Sequence, residues 1–200
     1  MTGSGKMGSG KMGALSGGFG RVQALALGLA AAILIADQLS KWWILDVVLA
    51  ERRFVEVTSF FNIVLVYNRG VSFGMFAEGA GSWQPWVLSG VAVAITLGLL
   101  VWLWQTRHWL PATAMGLIIG GAIGNTIDRL FRVERAVVDF LDFHGFLFSF
   151  PPLNGHWPAF NVADSAIVVG VLVLVYDGLF LQPQDDTLGA SGEGRKQGDS

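Results

Sequence analysis

The chain has 200 residues, a formal net charge of -2 and no cysteine. Hydrophobic residues make up 52% and charged residues only 14%, against about 25% charged in soluble domains, which argues for an integral membrane protein and leaves no basic field for nucleic acid. Without cysteine there are no disulfides, thiol nucleophiles or thiolate-bound metals, and His108, His144 and His156 form no H-x-x-x-H pair of the zinc-protease kind.

Residues 1–20 repeat Gly3–Met7 as Gly8–Met12. They read as a low-complexity tail that cannot build a core, and not as a cleavable secretory signal. A first apolar span runs from Val22 to Trp43, with Asp37 and Lys41 near its end. Ile44 to Ala50 reads as a short interfacial helix. Residues 50–80 form a different kind of segment. Phe54 to Tyr67 is rich in β-branched and aromatic residues, Asn68-Arg-Gly70 breaks it, and Val71 to Phe76 follows. That pattern predicts two or three short strands lying on the membrane.

The second span runs from Gln84 to Trp104, and no Asp, Glu, Lys or Arg occurs between Glu78 and Arg107. The third runs from Pro111 to Leu130. A loop from Phe131 to Pro158 follows, in which Phe146 to Phe150 is a further strand candidate. The fourth span runs from Phe160 to Leu181, and the polar, Gly-rich stretch from Gln182 to Ser200 is expected to be disordered. Spans of about 20 residues match a hydrocarbon core of about 30 Å. All 8 tryptophans fall near span ends, as an interfacial aromatic belt would. The expected fold class is an all-α membrane protein over residues 21–181. It has four transmembrane helices, a small β-sheet lying on the membrane and the short interfacial helix.

If the spans alternate in direction, one membrane face receives the C-terminal ends of the first and third spans and the N-terminal end of the fourth. Those three ends carry Asp37 and Lys41; Asn125, Asp128 and Arg129; and Asn161 and Asp164. The segment 50–80 and the loop before the fourth span lie on that face too. Ionisable residues at a membrane rim are functional by default, so the pattern predicts one shallow polar site. Lysines and arginines are spread over both faces, so charge asymmetry does not orient the chain.

Asn125-x-x-Asp128 and Asn161-x-x-Asp164 each keep an amide and an acid on one helical face. Asp128 and Asp164 are the expected catalytic pair. Two neighbouring carboxylates do not both ionise readily, so one keeps a proton to polarise a carbonyl while the other activates water. Asn125 and Asn161 are expected to orient the acids, or to act only as interhelical hydrogen-bonding groups. Arg129 fixes the local field or snorkels. Asp37 and Lys41, at i and i+4, suit a structural ion pair. Asp139 and Asp142 are further acids on the same face, so spacing alone does not single out the dyad. Asn68 and Gly70 occupy a turn. Gly116, Gly120, Gly121 and Gly124 give the third span a small-residue packing face. The competing reading is an ion or proton pathway, which predicts polar residues recurring through the bilayer; here they cluster at one rim.

Five blocks, in order, resemble the bacterial lipoprotein signal peptidase family, also called signal peptidase II. They are Asp37-Gln-Leu-Ser-Lys41, Tyr67-Asn-Arg-Gly-Val-Ser-Phe73, Gly120-Gly-Ala-Ile-Gly-Asn-Thr-Ile-Asp-Arg129, Val137-Val-Asp-Phe140 and Pro158-Ala-Phe-Asn-Val-Ala-Asp-Ser165. The resemblance implies an aspartic endopeptidase of the bacterial inner membrane that needs no cofactor or metal. It implies prolipoprotein substrates, cut just before a cysteine that carries diacylglyceryl. It places the site at the periplasmic end and both termini in the cytoplasm. Carried over by motif, Asp128 and Asp164 are the dyad, and Asn68, Gly70, Asn125, Arg129, Asp139, Asn161, Asp37 and Lys41 support the site. Membrane lipids are the expected surroundings and a monomer the expected state. The stretch from His144 to His156 is long and aromatic for the loop before the last motif.

Overall fold

Each apolar run forms one long helix. The computed structural model describes residues 20–70, 83–151, 153 and 155–181. In chain order these contain α1 (Arg21–Trp43), β1 (Phe54–Thr58), β2 (Phe61–Asn68), α2 (Gln84–Gln105), α3 (Trp109–Phe131), β3 (Val137–Phe143) and α4 (Val162–Phe180). All four α-helices are long and apolar enough to cross a membrane. The expected tails and the strand candidate Val71 to Phe76 lie outside the described residues.

α3 is the central helix, packed against α1, α2 and α4, and it is buried along most of its length. The other three turn broad apolar faces outward; Ile95, Leu97, Val101, Val168 and Leu172 are all exposed. Such faces suit lipid, where no water is present to drive helices together and close van der Waals packing must do it. The glycines of α3 provide that closeness. A Cβ on Gly121 would lie 2.5 Å from the Ala163 carbonyl oxygen of α4, and one on Gly120 would lie 2.5 Å from the Ala30 carbonyl oxygen of α1. Ala26, Ala30, Leu103, Ala112, Met115 and Ile119 form the core between α1, α2 and α3.

The short helical segment expected after Trp43 is a π-helical turn, Ile44–Val48, continuous with α1. Its Ile44, with Leu49, packs beneath the sheet against Val138 and Phe140. The sheet has the order β1-β2-β3 and is antiparallel throughout. A register shift between Ile63 and Val66 puts one extra β2 residue opposite β3. β3 comes from Val137–Phe143. The expected strand at Phe146 to Phe150 is not formed; Phe146–Phe148 is a 3-10 turn. The cause is Gly145, at φ 136, which turns the chain out of the sheet, as only glycine does readily.

Candidate active site

Helix ends assemble the site. Asp37, Gln38 and Lys41 come from the end of α1, Asn125, Asp128 and Arg129 from the end of α3, and Asp164 from the first turn of α4. β3 lays Asp139 across them, and Asn68 ends β2 beside it. The convergence expected from span alternation is therefore present. Asp37 Oδ1 accepts from the Ala163 amide of α4 at 3.0 Å, and Lys41 Nζ lies 2.7 Å from Asp128 Oδ2 of α3.

Asn161-x-x-Asp164 is a capping box. Asn161 Oδ1 accepts from the Asp164 amide at 2.9 Å, and Asp164 Oδ2 accepts from the Asn161 amide at 3.2 Å. This pairing satisfies two backbone donors at the start of α4 and fixes the Asp164 rotamer. Asn161 Nδ2 then donates to Asp139 Oδ1 at 2.7 Å and to Asn125 Oδ1 at 3.2 Å. Asn125 Nδ2 donates to Asp164 Oδ1 at 2.7 Å. On the far side, Asn68 Nδ2 donates to Asp139 Oδ2 at 2.9 Å, while Asn68 Oδ1 accepts from the Gly70 amide at 2.8 Å. Gly70 stands at φ 98, the left-handed geometry that this small turn requires.

The four carboxylates nearest these helix ends fall into two kinds. Asp37 and Asp128 are held by cations. Lys41 Nζ lies 2.8 Å from Asp37 Oδ2 and 2.7 Å from Asp128 Oδ2, and all three side chains are fully buried. Arg132 Nε adds a second cation, 2.7 Å from Asp128 Oδ1. Gln38 and the Val138 amide donate to Asp128 as well, at 3.2 and 3.3 Å. Both of its oxygens are thus taken. Asp139 and Asp164 are of the other kind: neither has a cation within ion-pair distance among the described residues, and neutral amides hold both. Burial, and then the Asp164 charge, push the Asp139 carboxyl up to about 7 against the hydrogen bonds from Asn68 and Asn161.

Asn161 joins these two acids, its Nδ2 donating to Asp139 and its backbone amide to Asp164. Asp128, expected to pair with Asp164, has both oxygens engaged by Lys41 and Arg132. Arg129 is the remaining cation. Asp164 and Asp139 are its strongest electrostatic neighbours. Its Nη1 reaches only the Asn125 carbonyl oxygen, at 3.5 Å, and its buried Nε has no hydrogen-bond partner among the described residues. Gln38 and Arg132 were not among the expected site residues. Arg132 had a signal, standing four residues after Asp128 on the same helical face.

Residues 29–180 match the family model described as signal peptidase (SPase) II. The chain is 44% identical over 155 residues to the lipoprotein signal peptidase of Burkholderia multivorans, covering 76% of this chain and 86% of that protein. It is 42% identical over 154 residues to the lipoprotein signal peptidase of Burkholderia thailandensis, with the same coverage. A solved structure entitled "Bacterial membrane enzyme structure by the in meso method at 1.9 A resolution" superposes with a TM-score of 0.63 at 26% identity, covering 80% of this chain and 95% of that one. A second structure of the same title at 2.3 Å gives 0.61 at 25% identity, covering 81% and 94%. Matched in sequence along most of its length and in its four-helix architecture, the chain belongs to the signal peptidase II family.

Proposed function

We propose that this membrane peptidase is an aspartic endopeptidase whose working pair is Asp139 and Asp164. It cleaves diacylglyceryl-modified prolipoproteins immediately before the lipidated cysteine. The observation that carries the dyad is the division of the acids: Lys41 and Arg132 neutralise Asp37 and Asp128, while amides alone hold Asp139 and Asp164. A pair held by neutral donors keeps one shared proton, and that is the state acid–base hydrolysis needs.

In the proposed reaction the protonated acid, Asp139, hydrogen-bonds the scissile carbonyl oxygen. Ionised Asp164 takes a proton from the attacking water. The tetrahedral intermediate forms as Asp139 gives its proton to that oxygen. On collapse, Asp164 passes its proton to the departing amine, the C–N bond breaks, and Asp139 takes back a proton from a hydroxyl of the intermediate, which leaves the carboxylic acid product and restores the starting pair. Asn125, Asn161 and Asn68 keep the two carboxyls in place, and the Arg129 charge stabilises the pair when it is ionised. Asp37, Lys41 and Asp128 bind the ends of α1, α3 and α4 together beneath this pair. All needed groups are side chains of this chain, so the reaction as written uses no metal and no cofactor.

The site lies where the polar ends of apolar helices meet a sheet whose first strand and following turn expose Phe54, Val57 and Phe60. That surface suits a substrate which is itself an apolar helix with a lipid tail, entering sideways from the bilayer. By family likeness we place the protein in the bacterial inner membrane as a monomer, with the site at the periplasmic face and both termini in the cytoplasm. The test is incubation of purified protein with a prolipoprotein, with and without its diacylglyceryl group, and product masses. Cleavage before the cysteine only in the lipidated substrate supports the reading. Cleavage elsewhere, or equally fast without lipid, overturns it.

A further inference from the structure

The long stretch from His144 to His156 stands outside the aspartate chemistry, and its base has a donor set of its own. His144 and His156 face each other across an isolated antiparallel bridge, with ring centroids 5.3 Å apart. His156 Nδ1 lies 3.0 and 3.2 Å from the two oxygens of Asp142. Donor atoms from Asp142, His144 and His156 all lie within 4.8 Å of one another. Asp142 stands three residues beyond Asp139 on β3, and strand alternation sends the two acids to opposite faces. This cluster is therefore separate from the proposed dyad.

Asn62 provides a second, independent observation. It pairs with Asp142 across the sheet and is 3% exposed. Its Nδ2 donates to Asp142 Oδ2 at 2.9 Å and lies 3.1 Å from His144 Nδ1. Its Oδ1 is buried with no hydrogen-bond partner among the described residues. A buried orphan acceptor is costly. Half a turn of the amide would bring Oδ1 to where Nδ2 now stands, beside a carboxylate and a ring nitrogen. Oδ1 and the Asp142 carboxylate would then meet beside the His144 ring nitrogen, and a cation between them would satisfy all three.

We propose that Asp142, His144 and His156 form a divalent transition-metal site of the zinc class, with the Asn62 amide oxygen as fourth ligand. Two imidazoles and two oxygens suit zinc in tetrahedral geometry. Bond lengths of about 2.0–2.2 Å require the donors to draw in from their present spacing. His156, whose side chain is 58% exposed, is free to rotate toward the centre. The metal would pin the two arms of the loop at its base, where Gly145 already donates to the Gly155 carbonyl oxygen at 2.9 Å. It would thereby set how the loop's exposed Phe146, Leu147 and Phe150 are presented at the membrane rim.

The test is titration of chelator-treated, tag-free protein in detergent with Co2+, followed by visible absorption, and then displacement by Zn2+. We expect saturation at one equivalent with the strong bands of four-coordinate cobalt. His156→Ala and Asp142→Asn should each weaken binding by more than the roughly 10–100-fold that loss of an outer-shell partner costs. His108→Ala, on the α2–α3 connection, should leave it unchanged. His156 is exposed, so its replacement does not threaten folding, and the melting temperature of each variant checks this. No saturable binding, or binding that His156→Ala leaves intact, overturns the proposal.

Discussion

The proton on Asp139 is the residue-scale centre of the account. An aspartate titrates near 4 in the unfolded chain, and burial beside Asp164 raises Asp139 to about 7. The folded state therefore binds this proton more tightly. The resulting stabilisation is complete below about pH 4 and is lost as pH rises through about 7. Activity should follow the same proton, with kcat/KM falling on an alkaline limb near pH 7 as the pair loses it. A rate profile flat from pH 6 to about 9 would contradict this assignment. The sequence marked nearly every residue that the fold gathers at these helix ends, because paired Asn and Asp at apolar run ends are rare and conspicuous. It did not show which acids are held by cations. Asp128 and Asp139 are both close to the end of α3, and only the fold reveals that Lys41 and Arg132 occupy the first. Nor did spacing reveal that Asn161 and Asp164 owe their interval to a helix cap.

At the scale of elements, the four spans were legible because each is about as long as a bilayer is thick and lacks charge. The sheet was partly legible. β1 and β2 follow from β-branched and aromatic alternation, but β3 has two acids among its apolar residues, and the aromatic run after Gly145 looked more strand-like than it is. α3 is the element on which the others depend, and its glycines set its distance from α1 and α4. Gly121→Ala should lower thermal stability in detergent by about 1–3 kcal/mol, as overpacking does, because the new Cβ meets the Ala163 carbonyl oxygen at 2.5 Å and Ile167 Cγ1 at 2.8 Å. Gly90→Ala on α2 is the control, since nothing lies within 4 Å of its added Cβ. Equal melting temperatures for the two variants would contradict the close-packing role of Gly121.

For the whole molecule, the relevant property is that all polar helix ends of the site share one membrane face. The native chain has no cysteine, so single introduced cysteines report topology without background. Phe146→Cys, at a position 92% exposed, should react in intact spheroplasts with a membrane-impermeant thiol reagent. Arg107→Cys, in the α2–α3 connection, should react only after lysis. The reverse pattern would place the site in the cytoplasm and contradict the proposed orientation. The alternation of spans was readable from sequence, but its direction was not, because lysines and arginines occur on both faces and several serve the site itself.

The most direct test of the central claim compares three folded variants, Asp139→Asn, Asp164→Asn and Asp128→Asn, on the lipidated prolipoprotein. Turnover per folded molecule and melting temperature are measured for each. Asp139→Asn and Asp164→Asn should lose activity by about 10²–10⁴-fold or more while remaining folded. Asp128→Asn should instead lose stability, by about 3–5 kcal/mol for a broken buried ion pair, while its folded fraction still cleaves. Retained turnover in Asp139→Asn, with turnover abolished in stably folded Asp128→Asn, would contradict the account and return the dyad to the end of α3.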